Sequence, residues 1–131
     1  MDSTIAEYKA LLITLISNPQ QPFDETLRGS LPQDGGVYRI FEKGSGWRSS
    51  VYVGKTTRLR GRIYGNHLMG NRHASTLKRK LIASGQFSDE EAVKQYLKDR
   101  CLVQYVTISD EALRTSFEHF AVSILKPQFN D

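Results

Sequence analysis

Residues 36–67 read GVYRIFEKGSGWRSSVYVGKTTRLRGRIYGNH, and this stretch decides how the rest of the chain is interpreted. Two apolar runs, Val37–Phe41 and Val51–Val53, carry β-branched or aromatic residues at alternate positions, as strands do. The segment between them, Lys43–Ser50, contains glycines and serines that favour a turn. The stretch therefore predicts a β-hairpin. Gly54 leaves the second strand and is followed by polar and basic residues that open a helix, a combination suited to holding a phosphate.

The basic residues of the chain are concentrated around this hairpin. The 131 residues include 18 Lys or Arg and 14 Asp or Glu, a formal net charge of +4. Between Arg39 and Lys80, eleven residues are Lys or Arg and only Glu42 is acidic. Such a concentrated positive field attracts a polyanion to one region, so it favours nucleic acid as the partner. The alternative is a solvated basic surface that binds nothing.

Composition indicates one ordinary soluble domain. Hydrophobic residues make up 39% and charged residues 24% of the chain, which is long enough to bury a single core. The one cysteine, Cys101, excludes an intrachain disulfide framework and suits a reducing compartment, so we expect an intracellular, cytoplasmic protein. We expect neither a signal peptide nor a membrane span, because acids precede the first apolar run and no apolar stretch approaches ~20 residues.

Apolar periodicity and turn residues predict the remaining elements. We expect a helix over residues 5–16, an ordered connector over 17–35, the hairpin, helices over 57–67, 75–84 and about 88–98, a strand over 101–108, and a last helix over about 111–125. This order predicts an α+β fold, in which helices flank a small three-stranded antiparallel or mixed sheet and an extra helix is added at the N-terminus. That first helix either packs on the core, the simpler expectation, or forms a dimer contact.

Polar residues mark the starts of three of these helices. Ser75 is a candidate cap, Ser88 begins a capping-box pattern with a glutamate three residues later, and Ser109-Asp110 precedes the last helix. In the helix over 75–84, we expect the apolar residues to face inward and the basic run 78–80 to face outward. The predicted apolar stripe of the last helix consists of Leu113, Phe117, Phe120, Ala121 and Ile124.

The triplet Gly36-Val37-Tyr38 followed by Tyr52-Val53-Gly54 resembles the paired signature of the GIY-YIG nuclease superfamily, with valines in place of the isoleucines. Arg62 and Glu118 stand where that family has its catalytic arginine and its metal-binding glutamate. Pro127 and Asn130 resemble the family's short ending. The resemblance covers residues 34–131, so it implies a nuclease domain there, with residues 1–33 forming a helix and connector packed on its core.

The resemblance implies a metal-dependent hydrolase. Hydrolysis of a phosphodiester requires a base for water and neutralisation of charge on the phosphate and on the leaving oxygen. Glu118 is then the ligand of a single divalent ion, Mg²⁺ or Mn²⁺. Arg62 is the phosphate clamp, because a guanidinium can hold two phosphate oxygens at once. The alternative for Glu118 is a structural ion pair with Arg114, one turn earlier in the helix.

Two tyrosines of the hairpin allow both a structural and a catalytic interpretation. Strand tyrosines are usually packing residues. The resemblance implies instead that Tyr38 is the general base and Tyr52 an orienting group. Lys55 and Arg62 would then supply the cations that favour a phenolate. Lys55 is either this support for Tyr38 or a phosphate contact.

His67 is the second candidate for the base. It lies five residues after Arg62, close to where several family members have a histidine, and it could shuttle a proton or bind phosphate. A spacing of four residues keeps two side chains on one face of an α-helix, whereas a spacing of five turns the second side chain past that face. Asn66 occupies the position four residues after Arg62. The base is therefore Tyr38 or His67.

Supporting roles follow from the same resemblance. Gly36 and Gly54 belong to the signature, and Asn130 is expected to fix the C-terminal turn near the site, with simple turn formation as the alternative. We expect His119 to be a surface histidine and do not pair it with Glu118 as a metal ligand, because adjacent helical residues do not face each other.

The resemblance further implies DNA as the partner, in a restriction, repair, recombination or mobile-element role. The candidate backbone contacts are Arg58, Arg60, Arg72, Lys78 and Lys80. A non-catalytic nucleic-acid-binding module on the same fold is the first alternative, and a structural protein using its terminal helices is the second. A homodimer or a partner subunit would be needed to cut both strands in one event.

Overall fold

The computed structural model describes residues 2–45 and 49–130, and part of the predicted turn, including Gly46, lies outside them. The helices are α1 (Asp2–Ser17), α2 (Leu27–Ser30), α3 (Thr76–Ala83), α4 (Glu90–Arg100) and α5 (Glu111–Leu125), with a π-helix over Gly61–Leu68. The strands are β1 (Gln21–Pro22), β2 (Gly36–Glu42), β3 (Ser50–Thr56) and β4 (Cys101–Thr107).

The strands form one sheet in the order β1-β4-β2-β3, and every neighbouring pair is antiparallel. The predicted α+β fold with an extra N-terminal helix is thus confirmed. The sheet has a fourth strand because the predicted connector places Gln21 and Pro22 beside β4. Two residues carry no periodicity, so the sequence pattern could not reveal this strand. β3 is an edge strand, and its Gly54 pairs with Tyr38 of β2.

A β-bulge interrupts the pairing of β2 with β3. Ile40 pairs with Tyr52 and Phe41 pairs with Ser50, which leaves Val51 without an opposite residue. Bulges re-aim side chains. Here Val51 and Tyr52, although adjacent, both pack in the same apolar cluster on one face of the sheet.

Helices cover the two faces of the sheet with separate apolar clusters. One face packs against α2, the π-helix, α3 and α4, through residues such as Leu59, Leu77 and Val93. The opposite face packs against α1 and α5, where Leu15 and Phe117 are fully buried. Burying such a side chain stabilises the fold by roughly 1.5–3 kcal/mol. The N-terminal helix is therefore packed on the sheet and on α5.

The helix caps agree with the predictions in two cases out of three. Ser75 Oγ accepts a hydrogen bond from the backbone N of Lys78, and Asp110 caps α5. For α4 the predicted cap, Ser88, is wrong, because the next residue, Asp89, accepts from the N–H of Ala92 at 2.9 Å.

The end of the predicted stripe of α5 also needs correction. Ile124 is 44% exposed, whereas Leu125 is buried and completes the stripe. α5 ends at Lys126 in the left-handed conformation, before Pro127, which is consistent with the predicted stop.

The helix after the hairpin differs most from the expected α-helix. Residues Gly61–Leu68 form a π-helix, in which hydrogen bonds join residues five apart. The bond from Met69 N to Tyr64 O at 3.0 Å is one of this kind. Two glycines in the segment weaken the preference for an α-helix by about 1 kcal/mol each. A π-helix brings residues five apart, such as Arg62 and His67, to about one turn from each other.

Within the described part of the chain, no helix combines the length and the apolar character needed to cross a bilayer.

Candidate active site

Tyr38 lies at the centre of the candidate site and is almost completely buried, with 1% of its surface exposed. Its cross-strand partner is Gly54. A Cβ atom at position 54 would lie 2.5 Å from the Tyr38 hydroxyl oxygen, far inside contact distance. The phenol therefore occupies the space that any other residue would fill, which explains why the hairpin needs glycine here.

A chain of hydrogen bonds runs from Tyr38 into the protein. The Tyr38 hydroxyl lies 2.6 Å from Nε2 of His67, and Nδ1 of His67 lies 2.7 Å from Oγ of Ser75. The ring of Tyr52 flanks this pair, with centroids 6.2 Å from Tyr38 and 5.5 Å from His67. Sequence reasoning placed Ser75 at a helix start but missed its contact with the histidine, since nothing in the spacing of the two residues indicates it.

Their surroundings favour the neutral form of both Tyr38 and His67. Burial, with smaller contributions from Arg62 and Lys78, lowers the pKa of His67 to about 3. Of its two predicted roles, proton handling fits this buried neutral ring, whereas binding phosphate as a cation does not. Burial and the neighbouring Tyr52 raise the pKa of Tyr38 well above 10, and Arg62 opposes them only in part.

The expectation that Lys55 favours a Tyr38 phenolate is not met. Lys55 pairs with Val37 in the hairpin register, so its side chain lies on the face of the sheet opposite to Tyr38. Its Nζ donates to Oγ1 of Thr115 on α5 at 3.1 Å. Of the two predicted roles, a phosphate contact is the one compatible with this position.

Glu118 lines a polar cavity of about 450 Å³ between α5 and the edge of the sheet. Tyr52, Lys80 and Asn130 also line this cavity. The Glu118 side chain is 16% exposed, and burial raises the pKa of its carboxyl group although His119 and Lys55 act in the opposite direction. The carboxylate is therefore incompletely compensated by the cations around it.

Contacts of Glu118 weigh against the alternative of a structural ion pair with Arg114. Nε2 of the exposed His119 lies 3.7 Å from the Glu118 carboxylate, and that the two are not joint metal ligands stays a prediction. A flexible exposed ring can reach back to its neighbour. Arg114, in contrast, donates to the carbonyls of Ile108 at 3.0 Å and Ser109 at 3.1 Å. Its guanidinium is thus committed to the backbone before α5 and not to Glu118.

Arg62 is half-buried and lines a second cavity, of about 240 Å³, together with Lys55 and Thr115. Thr115 and Glu118 are three residues apart on α5 and so share one face of that helix. Both Arg62 and Glu118 also influence the pKa of Tyr38. Glu118 and Arg62 therefore line two separate cavities, and residues of α5 contribute to both of them.

Comparison with known proteins identifies the family. The model of the GIY-YIG catalytic domain matches residues 34–126, about 71% of the chain. The chain belongs to the GIY-YIG family. No curated protein matches the sequence significantly.

Three similar solved structures are of the GIY-YIG N-terminal endonuclease domain of UvrC from Thermotoga maritima. One is bound to magnesium as its catalytic divalent cation, and two are point mutants, tyrosine to phenylalanine and asparagine to alanine, bound to the catalytic divalent cation. Identities are 19%, 19% and 18%, each match covers 82% of this chain and 98 or 99% of the other, and the TM-score is 0.48.

Among the described residues of this GIY-YIG domain, no group of three or more His, Cys, Asp or Glu could hold a metal ion together. Mg²⁺ commonly takes one or two carboxylates and fills its other positions with water and substrate oxygens. Glu118 fits that demand, because its charge is under-compensated and its cavity has room for several waters at ~30 Å³ each.

The predicted DNA contacts of this GIY-YIG domain differ in accessibility. Arg58 is exposed and Arg60, half-buried, donates from Nε to the Leu31 carbonyl. Arg72 is held by two hydrogen bonds to the carboxylate of Glu90, at 3.0 and 3.1 Å. Any contact of Arg72 with DNA would have to share or break that pair.

The prediction that Lys78 projects outward to nucleic acid is wrong. Lys78 is 1% exposed, and its Nζ donates to the carbonyls of Leu68 at 2.7 Å and Gly70 at 2.5 Å. The ammonium group thus ties α3 to the last turn of the π-helix. Lys80, two residues on, is half-buried and lines the Glu118 cavity.

Asn130 anchors the end of the chain to the site. Its side-chain amide accepts from Val53 N at 2.8 Å and donates to Val53 O at 2.6 Å, as another strand would. Gln128 and Phe129 bond to the backbone of Ser50 and Val51. This segment covers part of the free edge of β3 and closes one side of the Glu118 cavity. Asn130 therefore lies near the candidate site, as predicted, but its side chain bonds to the backbone of β3 and does not fix a turn.

Proposed function

We propose that this chain is an endonuclease that hydrolyses phosphodiester bonds in DNA with one divalent cation, Mg²⁺ or Mn²⁺, held by Glu118. The observation that carries the proposal is the state of Glu118. It is a largely buried carboxylate with a raised pKa that lines a polar cavity, and among the described residues the basic side chain within 4 Å of it is the exposed His119. A structural carboxylate at that depth would be expected to have a buried cationic partner.

The other groups divide the chemistry between them. A cation on Glu118 would supply charge neutralisation at the phosphate and at the leaving oxygen. Arg62 clamps the scissile phosphate, and Lys55 contacts the same or the adjacent phosphate. Tyr38 removes the proton of the attacking water once it has lost its own proton, and Tyr52 orients the substrate beside it. Because Tyr38 starts as a neutral phenol, the rate should rise with pH above neutrality.

A basic cavity beside the π-helix supports DNA as the substrate. Arg28, Arg58 and Arg60 line this cavity of about 260 Å³ together with Tyr64. Arg28 belongs to α2, outside the residues matched by the family. Guanidinium groups grouped in this way suit consecutive phosphates of a nucleic-acid backbone.

Loss of one phosphate contact tests that placement. In Arg28→Gln, the slope of log K against log salt for binding to duplex DNA in EDTA should become shallower by about 0.9. Lys98→Gln, an exposed cation on α4, is the control and should leave the slope unchanged. Equal slopes in the Arg28 variant and the parent protein would remove Arg28 from the interface.

Nicking of supercoiled plasmid tests the enzymatic proposal. The protein should convert supercoiled to nicked plasmid with Mg²⁺ or Mn²⁺ and not in EDTA, and Arg62→Ala and Glu118→Ala should both abolish nicking. Arg100→Ala and Glu91→Gln, which lie away from both cavities, should cut normally. Salt-sensitive binding without nicking under either metal would instead establish the alternative, a non-catalytic nucleic-acid-binding module.

One site cuts one strand at a time. Cutting both strands together therefore requires a homodimer or a partner subunit, whereas a monomer should accumulate nicked circles before linear DNA.

A further inference from the structure

Arg114, in the first turns of α5, is a buried cation without a carboxylate partner in the described part of the chain. The residue is 8% exposed, and the ion pairs found within 4 Å do not include it. A guanidinium stays charged at any physiological pH, and burying a charge without a counter-ion is costly. The position therefore suits an anion that comes from outside the protein.

Two of the three guanidinium nitrogens of Arg114 are held by the backbone. Nε donates to the carbonyl of Ile108 at 3.0 Å and Nη2 to that of Ser109 at 3.1 Å. The group also lies against Gly35, where a Cβ atom would be 2.8 Å from Nη2. Nη1 makes no hydrogen bond to a described residue and is not one of their buried unpartnered atoms, so it is open to solvent. The guanidinium is thus fixed in place with one nitrogen available to a ligand.

Arg114 lines the cavity of about 240 Å³ that also contains Arg62 and Lys55. The exposed Glu111 lines it too, so three cations stand against one carboxylate. The hydroxyl-bearing residues of this cavity are Thr56, Thr57 and Thr115. Guanidinium, ammonium and hydroxyl groups are the donors that bind phosphate oxygens. The composition of the cavity therefore favours a phosphate as the anion.

A second cavity adjoins the first one at Arg114. It has a volume of about 490 Å³, and both Arg114 and Thr57 line the two cavities. Its carboxylate belongs to Asp34, which is exposed and makes no ion pair with Arg114 within 4 Å. Arg114 therefore lies where a chain of phosphates that enters the Arg62 cavity would continue.

We propose that Arg114 binds a backbone phosphate next to the one that Arg62 clamps, and so fixes the position of the substrate strand along α5. Arg114 precedes Glu118 by four residues, about 6 Å along the helix axis. Because a flanking phosphate does not change its charge in the reaction, Arg114 contributes to substrate binding and much less to kcat. The identity of the ligand rests on the proposed nuclease function, whereas the presence of an anion site does not.

NMR spectra of arginine side chains test the site in the full-length protein without metal. In ¹⁵N-arginine-labelled protein in EDTA, Arg114→Lys and Arg62→Lys identify the signals of the two residues. A short DNA duplex should shift the signals of Arg114 and Arg62 and leave those of Arg100, exposed on α4, in place. Arg114 signals that do not move while those of Arg62 do would overturn the proposal.

Pyrophosphate, added in place of DNA, separates the anion site from the nuclease function. If it shifts the Arg114 signals in a protein that neither binds nor cuts DNA, the anion site stands and the nuclease proposal fails. If neither pyrophosphate nor DNA shifts them, the Arg114 site is wrong whether or not the protein cuts plasmid.

Kinetics of plasmid nicking test the role in binding. Arg114→Lys keeps a donor for the backbone carbonyls and should raise KM about tenfold, as expected for the loss of a hydrogen bond to a charged group, with a much smaller change in kcat. Arg100→Lys is the matched control and should change neither value. An unchanged KM in Arg114→Lys would overturn the proposal.

A second variant keeps Arg114 itself, in case Arg114→Lys fails to fold. Gly35→Ala should displace the guanidinium, because the new Cβ would lie 2.8 Å from Nη2 and 3.0 Å from Cζ, and should also raise KM. In Gly29→Ala the new Cβ has no atom within 4 Å, so KM should stay that of the parent. Equal KM values in the two glycine variants would count against the site.

Discussion

Substituting Gly54 by alanine should damage both stability and activity through one contact. The new Cβ would lie 2.5 Å from the Tyr38 hydroxyl oxygen and 2.7 Å from its Cζ. Because the φ angle of Gly54 is not positive, alanine meets no left-handed backbone strain there. The penalty comes mainly from this contact, and a lesser part comes from Cε2 of Tyr52, 3.0 Å from the new Cβ. To reach an ordinary contact distance of 3.4 Å, the hydroxyl must retreat by about 0.9 Å.

The size of the effect follows from that displacement. Overpacking of a core usually costs about 1–3 kcal/mol. A shift of about 0.9 Å is also large enough to break the 2.6 Å hydrogen bond between Tyr38 and His67, worth about 1 kcal/mol. Urea unfolding should therefore show Gly54→Ala to be less stable by about 2–4 kcal/mol. Plasmid nicking by the protein that remains folded should fall as well.

Two further variants test the reasoning. Gly65→Ala has open space around the new methyl group and should be as stable as the parent or slightly more so. Tyr38→Phe removes the atom closest to the new Cβ, so Gly54→Ala should cost clearly less in that background. An equal loss of stability with and without the Tyr38 hydroxyl would show that its oxygen is not the cause, since Cζ, 2.7 Å from the new Cβ, remains in Tyr38→Phe.

Three other predictions concern single side chains. Lys78→Met leaves two buried carbonyl groups without their donor, so urea unfolding should show a loss of about 2–4 kcal/mol while DNA affinity is unchanged; weaker DNA binding at unchanged stability would contradict the buried position. His67 binds a proton in the unfolded chain near pH 6.5 but in the folded protein only near pH 3, so stability should fall with decreasing pH between these values, by up to about 1.4 kcal/mol per unit. His67→Gln should lose this part of the pH dependence. Parallel curves of unfolding free energy against pH for the parent and the variant would contradict the prediction. Without metal, Glu118→Gln should be at least as stable as the parent. Mg²⁺ should raise the melting temperature of the parent and not of the variant, and the free energy of unfolding of the parent should increase by about 2.7 kcal/mol at a Mg²⁺ concentration of 100 times Kd. Equal responses of both proteins to Mg²⁺ would place the ion elsewhere.

The parts of the fold that the sequence predicts well are those with a local cause. The limits of α5 follow from Asp110 at one end and Pro127 at the other, and β4 was expected to within one residue of its end at Thr107. Both signals act within a few residues of the element they define. The short strand β1 has no such signal, because only its pairing with β4 makes it a strand.

The errors at the site have a different origin. Lys78 was expected to face solvent because its charge is usually exposed, but the carbonyls left free at the end of the π-helix offer the ammonium group buried acceptors. Nothing in the residues around Lys78 reports where another helix ends. The same limit applies to Ser75, whose capping role is local and predictable and whose contact with His67 depends on how two helices pack.

The edge position of β3 explains why the proposed chemistry is assembled there. Successive residues of a strand point to opposite faces, so Tyr52 lies on the face of the sheet that also holds Tyr38, whereas Lys55 lies toward α5 and Glu118. In the middle of a sheet these groups would be separated by neighbouring strands. At an edge, we expect a phosphate to reach Tyr52 from one face of the sheet and Lys55 from the other. In the proposed site Tyr38 stays buried, whereas Glu118 and Arg62 each line a cavity.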